Sequence, residues 1–149
     1  MSESPNPSLP LVQIVSPAYN EEPVLHLLIE ALDKVFEDLK SKYRFEVILV
    51  IERSKDKTFE VAKSLATKDS RIKIIHFSRQ FGHQIALKAG IDHADANVVV
   101  MMDSDLQHPP AVIKEMLEQY EGGNNIVFTQ KNADHRNRFT RLCSLMFYR

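Results

Sequence analysis

Five short apolar runs alternate with longer amphipathic segments, and this alternation constrains the fold of the chain more than any other feature. The runs predict strands at Leu11–Pro17, Phe45–Ile51, Arg71–Phe77, Asn97–Asp103 and Asn125–Thr129. The segments between them predict helices at Val24–Lys42, Thr58–Thr67, His83–Ala94 and Ala111–Glu121. Strand–helix repeats of this kind predict an α/β fold, with a mostly parallel central sheet flanked by helices. The third strand alternates in polarity and is expected near an edge, whereas the fourth is apolar on both faces and is expected to be central.

The composition fits one globular domain and excludes several classes of protein. The chain has 149 residues, of which 44% are hydrophobic, so it can bury a core. A net charge of −1 gives no basic field for nucleic acid. The single cysteine, Cys143, excludes an internal disulfide bond and a multi-cysteine zinc site. No apolar run approaches the ~20 residues that cross a bilayer.

Glycine usage argues against two large classes of nucleotide-binding enzyme. The chain contains only four glycines, and neither the G-x-G-x-x-G fingerprint nor a P-loop occurs in it. A nicotinamide-dependent dehydrogenase and a P-loop NTPase are therefore disfavoured.

Parallel α/β sheets bind ligands beyond the carboxyl ends of their strands, so the residues that follow each strand form the candidate site. Tyr19, after the first strand, offers a flat face to a base or a sugar. Glu52, at the end of the second strand, is placed to accept hydrogen bonds from a nucleobase edge or a ribose. Arg79, after the third strand, is suited to pair with a phosphate or with a carboxylate. Glu21 fits the acidic first turn of a helix equally well, and His83 is interpreted as a helix-start residue.

The fourth strand ends in two carboxylates one residue apart, within the stretch VVVMMDSDLQHPP. Residues two apart on an extended chain point to the same side, so Asp103 and Asp105 can aim at one point. Two close carboxylates repel each other unless a positive charge lies between them. Mg²⁺ or Mn²⁺ is the expected partner, because both ions favour carboxylates together with substrate phosphates. Gln107 is placed to assist the metal site. The alternative is an Asp-rich turn that caps the next helix.

Three stretches, VSPAYNEE, SRQFGHQIALKAGIDHA and VVVMMDSDLQHPP, together resemble the family-two glycosyltransferases of the GT-A fold. Within that family the chain is most similar to the polyprenyl-phosphate glycosyltransferases, the dolichol-phosphate mannose synthases and bactoprenol glucosyl transferases. The resemblance implies a Rossmann-like, nucleotide-sugar-binding GT-A domain over residues 11–130. It also implies metal-dependent, inverting transfer of a sugar from a UDP- or GDP-sugar to a polyprenyl phosphate.

The resemblance gives roles to individual residues. The strand-end argument and the resemblance together give the residues expected to contact the nucleotide sugar: Pro17, Tyr19, Glu21, Glu52, Arg79, Asp103 and Ser104. Asp103 and Asp105 would hold Mg²⁺ or Mn²⁺ on the diphosphate of the donor, with the assistance of Gln107. Asp105 is the predicted catalytic residue.

The chain departs from the family pattern at the end of the second strand. Where such enzymes read V-D-D-G-S-x-D-G-T, this chain reads VIERSKDKT. Ile51 and Glu52 replace the two aspartates, and Arg53 and Lys57 replace glycines. The altered loop leaves the choice between a UDP and a GDP donor open. It also motivates an alternative hypothesis, a nucleotide-sugar-binding homologue that has lost turnover and has a regulatory or scaffold role.

The two ends of the chain carry further expectations. Residues 1–10 are polar and proline-rich and are expected to be a disordered lead-in. Residues 131–149 combine basic side chains with an apolar helical face, which is typical of a helix at a membrane surface, although an ordinary packed helix is the alternative. Arg136 and Arg138 are expected to bind the acceptor phosphate, and the segment is interpreted as the start of a C-terminal region. These features predict a protein at the cytoplasmic face of a membrane, with a homo-oligomer left open.

Overall fold

The computed structural model describes residues 8–129 of a chain that divides into two compact units, residues 1–115 and 116–149. In the described range the strands are β1 (Leu11–Ala18), β2 (Arg44–Ile51), β3 (Ile72–His76) and β4 (Val98–Met101). The helices in the same range are α1 (Leu25–Leu39), α2 (Thr58–Lys68), α3 (His83–Asp92) and α4 (Val112–Glu121). The predicted alternation of strands and helices is therefore confirmed as far as α4.

The described strands form one parallel sheet in the order β3-β2-β1-β4. β1 pairs with β2 from Leu11 to Ala18, and with β4 from Val12 to Val15. This arrangement confirms the predicted α/β fold with a parallel sheet. The edge position expected for β3 is also confirmed within the described sheet.

Helices cover both faces of the sheet, which explains why β1 and β2 are almost continuously buried. On one face Phe36 of α1 stacks on Phe45 of β2, with ring centroids 4.4 Å apart. On the other face Ala86 of α3 joins Val15 in a buried cluster. Gly90 permits this close approach of α3, because a Cβ at that position would overlap Val15 Cγ1.

The central position predicted for β4 is wrong within the described residues. There β4 pairs with β1 alone and forms an edge of the sheet. Val100 is buried, but Val99 and Met101 are 39% and 53% exposed. The run VVVMM indicated burial on both faces because hydrophobicity alone does not distinguish a covered face from an uncovered one.

The fifth strand predicted at Asn125–Thr129 is also wrong within the described residues, since no strand is found there. Ile126 and Phe128 are 75% and 80% exposed. A short apolar run predicts a strand only if a neighbouring strand receives its backbone hydrogen bonds, and the sequence does not reveal whether one is available. The end of α4 is as predicted, because Gly123 follows it with a left-handed φ of +93°.

Residues 1–7 and 130–149 lie outside the described residues. The expectations for most of the lead-in and for the basic segment with Arg136 and Arg138 therefore stay predictions, as do the domain limits at residues 11 and 130.

Candidate active site

The loops that follow β1 and β2 are tied together by hydrogen bonds in both directions. The Asn20 amide donates to Ser54 Oγ at 3.1 Å, and the Lys55 amide donates to Asn20 Oδ1 at 2.8 Å. Asn20 has a φ of +57°, a left-handed value that asparagine tolerates better than most residues. The Glu21 amide donates to Thr58 Oγ1 at 2.8 Å. Ser54 and Thr58, which the chain shares with the family pattern, thus fix the loop that follows β1.

Asp56 reinforces the same junction. Its carboxylate accepts the Glu22 amide at 3.1 Å and both the amide and the hydroxyl of Thr58. Burial raises the pKa of Asp56, but these hydrogen bonds outweigh burial and leave the pKa below its usual value. An ionised Asp56 therefore caps the start of α2 while it holds the loop after β1.

The acidic stretch after β4 is fastened to the end of β1. The Met102 amide donates to the Val15 carbonyl at 3.0 Å. Ser104 is only 3% exposed, and its hydroxyl donates to the Pro17 carbonyl at 2.9 Å. Pro17 and Ser104, both predicted to be site residues, therefore lie in direct contact.

The two aspartates flank the buried Ser104. Asp103 is exposed and Asp105 is half-buried. Leu106 has a φ of +58°, and the Gln107 amide donates to Asp105 Oδ1 at 3.0 Å. A left-handed residue other than glycine costs about 1–3 kcal/mol and persists only where the surroundings hold it. This tight turn holds the Gln107 backbone beside the Asp105 carboxylate.

Glu21 lies within electrostatic reach of the acidic stretch. Burial raises the pKa of Glu21 above its ordinary value, and the carboxylates of Asp105 and Asp56 raise the pKa further. Within residues 8–129, no three His, Cys, Asp or Glu side chains lie close enough to hold a metal ion on their own. A cation at Asp103 and Asp105 fits only with additional ligands, and the phosphates of a substrate are ligands that Mg²⁺ and Mn²⁺ accept.

Replacing Glu21 with glutamine should raise the free energy of unfolding of the metal-free protein at neutral pH, by less than about 1 kcal/mol. The pKa of Glu21 is raised in the folded state. Above that pKa the ionised Glu21 therefore lowers the stability of the wild type. As the pH falls through that pKa, Glu21 takes up a proton and the wild type regains the lost stability. Urea unfolding at neutral pH and at about pH 4 checks this sign. A Glu21→Gln variant that is less stable at neutral pH would contradict it.

Glu52 lies at the end of β2, as predicted, but its carboxylate faces the loop between β3 and α3. The residue is 4% exposed, and its Oε1 accepts the amides of Phe81 at 2.7 Å and Gly82 at 2.6 Å. Gly82 precedes the first residue of α3 with a φ of +96°, which glycine adopts without steric cost. Glu52 thereby satisfies backbone amides at the start of α3.

Two further side chains of this region border the site. The guanidinium carbon of Arg79 lies 4.6 Å from the centroid of the Phe81 ring, and both side chains are exposed. His83 begins α3, as predicted, and its Nε2 also lies 3.4 Å from Asp103 Oδ1. Sequence reasoning missed this second feature because a helix start explains His83 equally well. The available signal was that His83 follows a strand end on the ligand-binding edge.

The predicted site residues in the described range all follow or end strands at the carboxyl edge of the sheet: Pro17, Tyr19, Glu21, Glu52, Arg79, Asp103, Ser104, Asp105 and Gln107. Tyr19 comes directly after β1 and is half-buried. None of the helices within residues 8–129 has both the length and the hydropathy to cross a membrane.

The sequence has clear relatives. Residues 13–146 match the model of glycosyl transferase family 2. The glycosyltransferase YkcC of Bacillus subtilis (strain 168) is 41% identical over 137 residues, which cover 91% of this chain and 42% of that protein. A prophage bactoprenol glucosyl transferase homolog of Escherichia coli (strain K12) is 32% identical over 139 residues, which cover 93% of this chain and 45% of that protein. The chain thus spans less than half the length of these relatives.

Solved structures show the same fold. The mannosyltransferase PcManGT from Pyrobaculum calidifontis, in complex with GDP-Man and Mn²⁺, is 28% identical with a TM-score of 0.52, and the match covers 68% of this chain and 30% of that one. S. aureus TarS in complex with UDP is 20% identical with a TM-score of 0.64, and the match covers 85% of this chain and 37% of that one. TarS supports the fold alone. The family resemblance drawn from the motifs is confirmed, and the chain belongs to glycosyl transferase family 2.

Proposed function

We propose that the protein transfers a sugar, with inversion, from a nucleotide diphosphate sugar to a polyprenyl phosphate, using Mg²⁺ or Mn²⁺ bound at Asp103 and Asp105. The observation that carries this proposal is the anchored acidic stretch after β4, which Ser104 fastens to the Pro17 carbonyl. Its negative charge is strong enough to contribute to the raised pKa of Glu21. A divalent cation that carries a diphosphate would neutralise this charge.

Each part of the proposed site has a chemical task. When bound, the metal supplies Lewis-acid neutralisation of the leaving diphosphate. Asp103 and Asp105 hold the metal, Gln107 assists with its amide oxygen or a bound water, and Ser104 keeps both aspartates at the end of β1. Pro17, Tyr19, Glu21 and Arg79 are proposed to line the nucleotide-sugar pocket.

The proposed acceptor needs no general base. A lipid phosphate is already anionic at neutral pH, so its oxygen can attack the anomeric carbon without losing a proton first. A single displacement of this kind inverts the configuration. The names of the bactoprenol glucosyl transferase relatives support a polyprenyl phosphate as the acceptor. Arg136 and Arg138 are proposed to bind its phosphate, and the membrane surface is the proposed location.

The donor and the reaction can be tested together. Calorimetric titration of the complete protein with UDP-glucose and GDP-mannose, each with and without Mn²⁺, should show metal-dependent binding of one donor. Incubation with that donor and a polyprenyl phosphate should give a product whose anomeric configuration, read by NMR, is opposite to that of the donor. Failure to bind either donor with metal would contradict the proposal.

A second candidate function is a nucleotide-sugar-binding homologue without turnover, and the observation that favours it is the altered loop VIERSKDKT. Metal-dependent donor binding without transfer to any polyprenyl phosphate would support this candidate over the enzyme.

A further inference from the structure

Glu52 is buried, and a glutamate is rarely buried unless its side chain is paired. At 4% exposure a carboxylate is stable only if hydrogen bonds replace its lost hydration. The amides of Phe81 and Gly82 meet this need at 2.7 and 2.6 Å. The Glu52 carboxylate in turn gives these two backbone amides an acceptor beside the start of α3.

These bonds fix the backbone immediately before His83. Gly82 contributes a left-handed φ of +96°, and α3 begins at the next residue. The first turn of α3 is closed by the Ala86 amide, which donates to the Gly82 carbonyl at 3.1 Å. The backbone is therefore hydrogen-bonded both before and after His83. The Nε2 atom of His83 lies 3.4 Å from Asp103 Oδ1.

We propose that Glu52 is a positioning residue, which holds the loop between β3 and α3 and thereby keeps His83 beside Asp103. His83 in turn orients the Asp103 carboxylate toward the metal through the close approach of its Nε2 to Oδ1, as the neighbours of metal-ligating carboxylates do. This role rests on the proposed function, because it acts through the metal bound by Asp103. It is an alternative to the nucleobase contact expected of Glu52 from the sequence, and the two roles predict different results.

The test uses Glu52→Asp, which is one methylene too short to reach both amides, and Glu52→Gln, which keeps an acceptor oxygen at full length. Hydrogen exchange of the Phe81 and Gly82 amides, followed by NMR, should accelerate at least about tenfold in Glu52→Asp and less in Glu52→Gln. The affinity for Mn²⁺ in the presence of UDP, measured by EPR of free Mn²⁺, should fall about tenfold in Glu52→Asp, with partial rescue in Glu52→Gln. The ratio of UDP to GDP affinity should not change.

His83→Ala completes the test. It should lower Mn²⁺ affinity by a similar factor without changing exchange at Phe81, and the Glu52→Asp/His83→Ala double variant should lose little more than either single variant. Glu60→Asp, a matched change at an exposed position of α2, should alter none of these measurements.

Two results would overturn the proposal. The first is unchanged Mn²⁺ affinity in both Glu52→Asp and His83→Ala. The second is a changed UDP-to-GDP ratio with unchanged amide exchange, which would restore the nucleobase contact. Wild-type protein that binds neither Mn²⁺ nor nucleotide would contradict the proposed function and the metal step of this proposal, whereas amide exchange would still report independently whether Glu52 holds the loop.

Discussion

Replacing Asp105 with asparagine is expected to lower the rate of sugar transfer by the complete protein roughly 10²–10³-fold, the loss typical of removing one preorganised electrostatic contact. Asparagine keeps the side-chain oxygen that accepts the Gln107 amide, so the left-handed turn at Leu106 should survive. It removes the negative charge that attracts the divalent cation. The effect should therefore fall on metal-dependent chemistry and not on folding.

The matched control is Asp92→Asn. Asp92 is exposed at the last position of α3 and pairs with Lys88 at 2.6 Å. This variant should transfer sugar at the wild-type rate, and both variants should unfold within a few degrees of the wild type. Wild-type turnover by Asp105→Asn at every Mn²⁺ and Mg²⁺ concentration would refute the role of Asp105.

Replacing Gly90 with alanine is expected to lower the free energy of unfolding by about 2 kcal/mol, through overpacking of the core. In an exposed helix the same change raises stability by about 1 kcal/mol, because alanine is the better helix former. At Gly90 the new methyl group would overlap Val15 Cγ1 and lie 3.1 Å from Val50 Cγ2. α3 would have to move away from β1 and β2.

A double-mutant cycle isolates that clash. Val15→Ala removes the methyl group that the new Cβ meets. The double variant Val15→Ala/Gly90→Ala should therefore lose less unfolding free energy than the two single variants lose in sum, by at least about 1 kcal/mol. Denaturant unfolding of the four proteins measures the coupling. Additive losses, or a stabilising Gly90→Ala, would show that α3 does not lie against Val15.

The parts of the fold that were predictable are those whose pattern records burial directly. α1 shows apolar residues at three- and four-residue spacing, and β1 and β2 are apolar runs covered on both faces. The predictions of a central β4 and of a strand at Asn125–Thr129 failed because an apolar run indicates only that burial is favourable. Whether a neighbouring strand or helix covers it depends on contacts distant in sequence.

The candidate site also has residues that the sequence identifies and contacts that it does not. Asp103 and Asp105 were identifiable because two carboxylates at a strand end need a chemical explanation. The contact between Ser104 and the Pro17 carbonyl joins residues 87 apart in sequence, and no local pattern encodes it. The bonds from the Phe81 and Gly82 amides to Glu52 were equally hidden, since a backbone amide leaves no trace in the sequence.

The most direct measurement of the central claim is an anomalous-scattering map from crystals grown with Mn²⁺ and the preferred nucleotide. We expect one manganese peak within coordination distance of Asp103 and Asp105, about 2.0–2.3 Å from carboxylate oxygens, and in contact with the diphosphate. Nucleotide bound at the carboxyl edge with no manganese near either aspartate would contradict the claim.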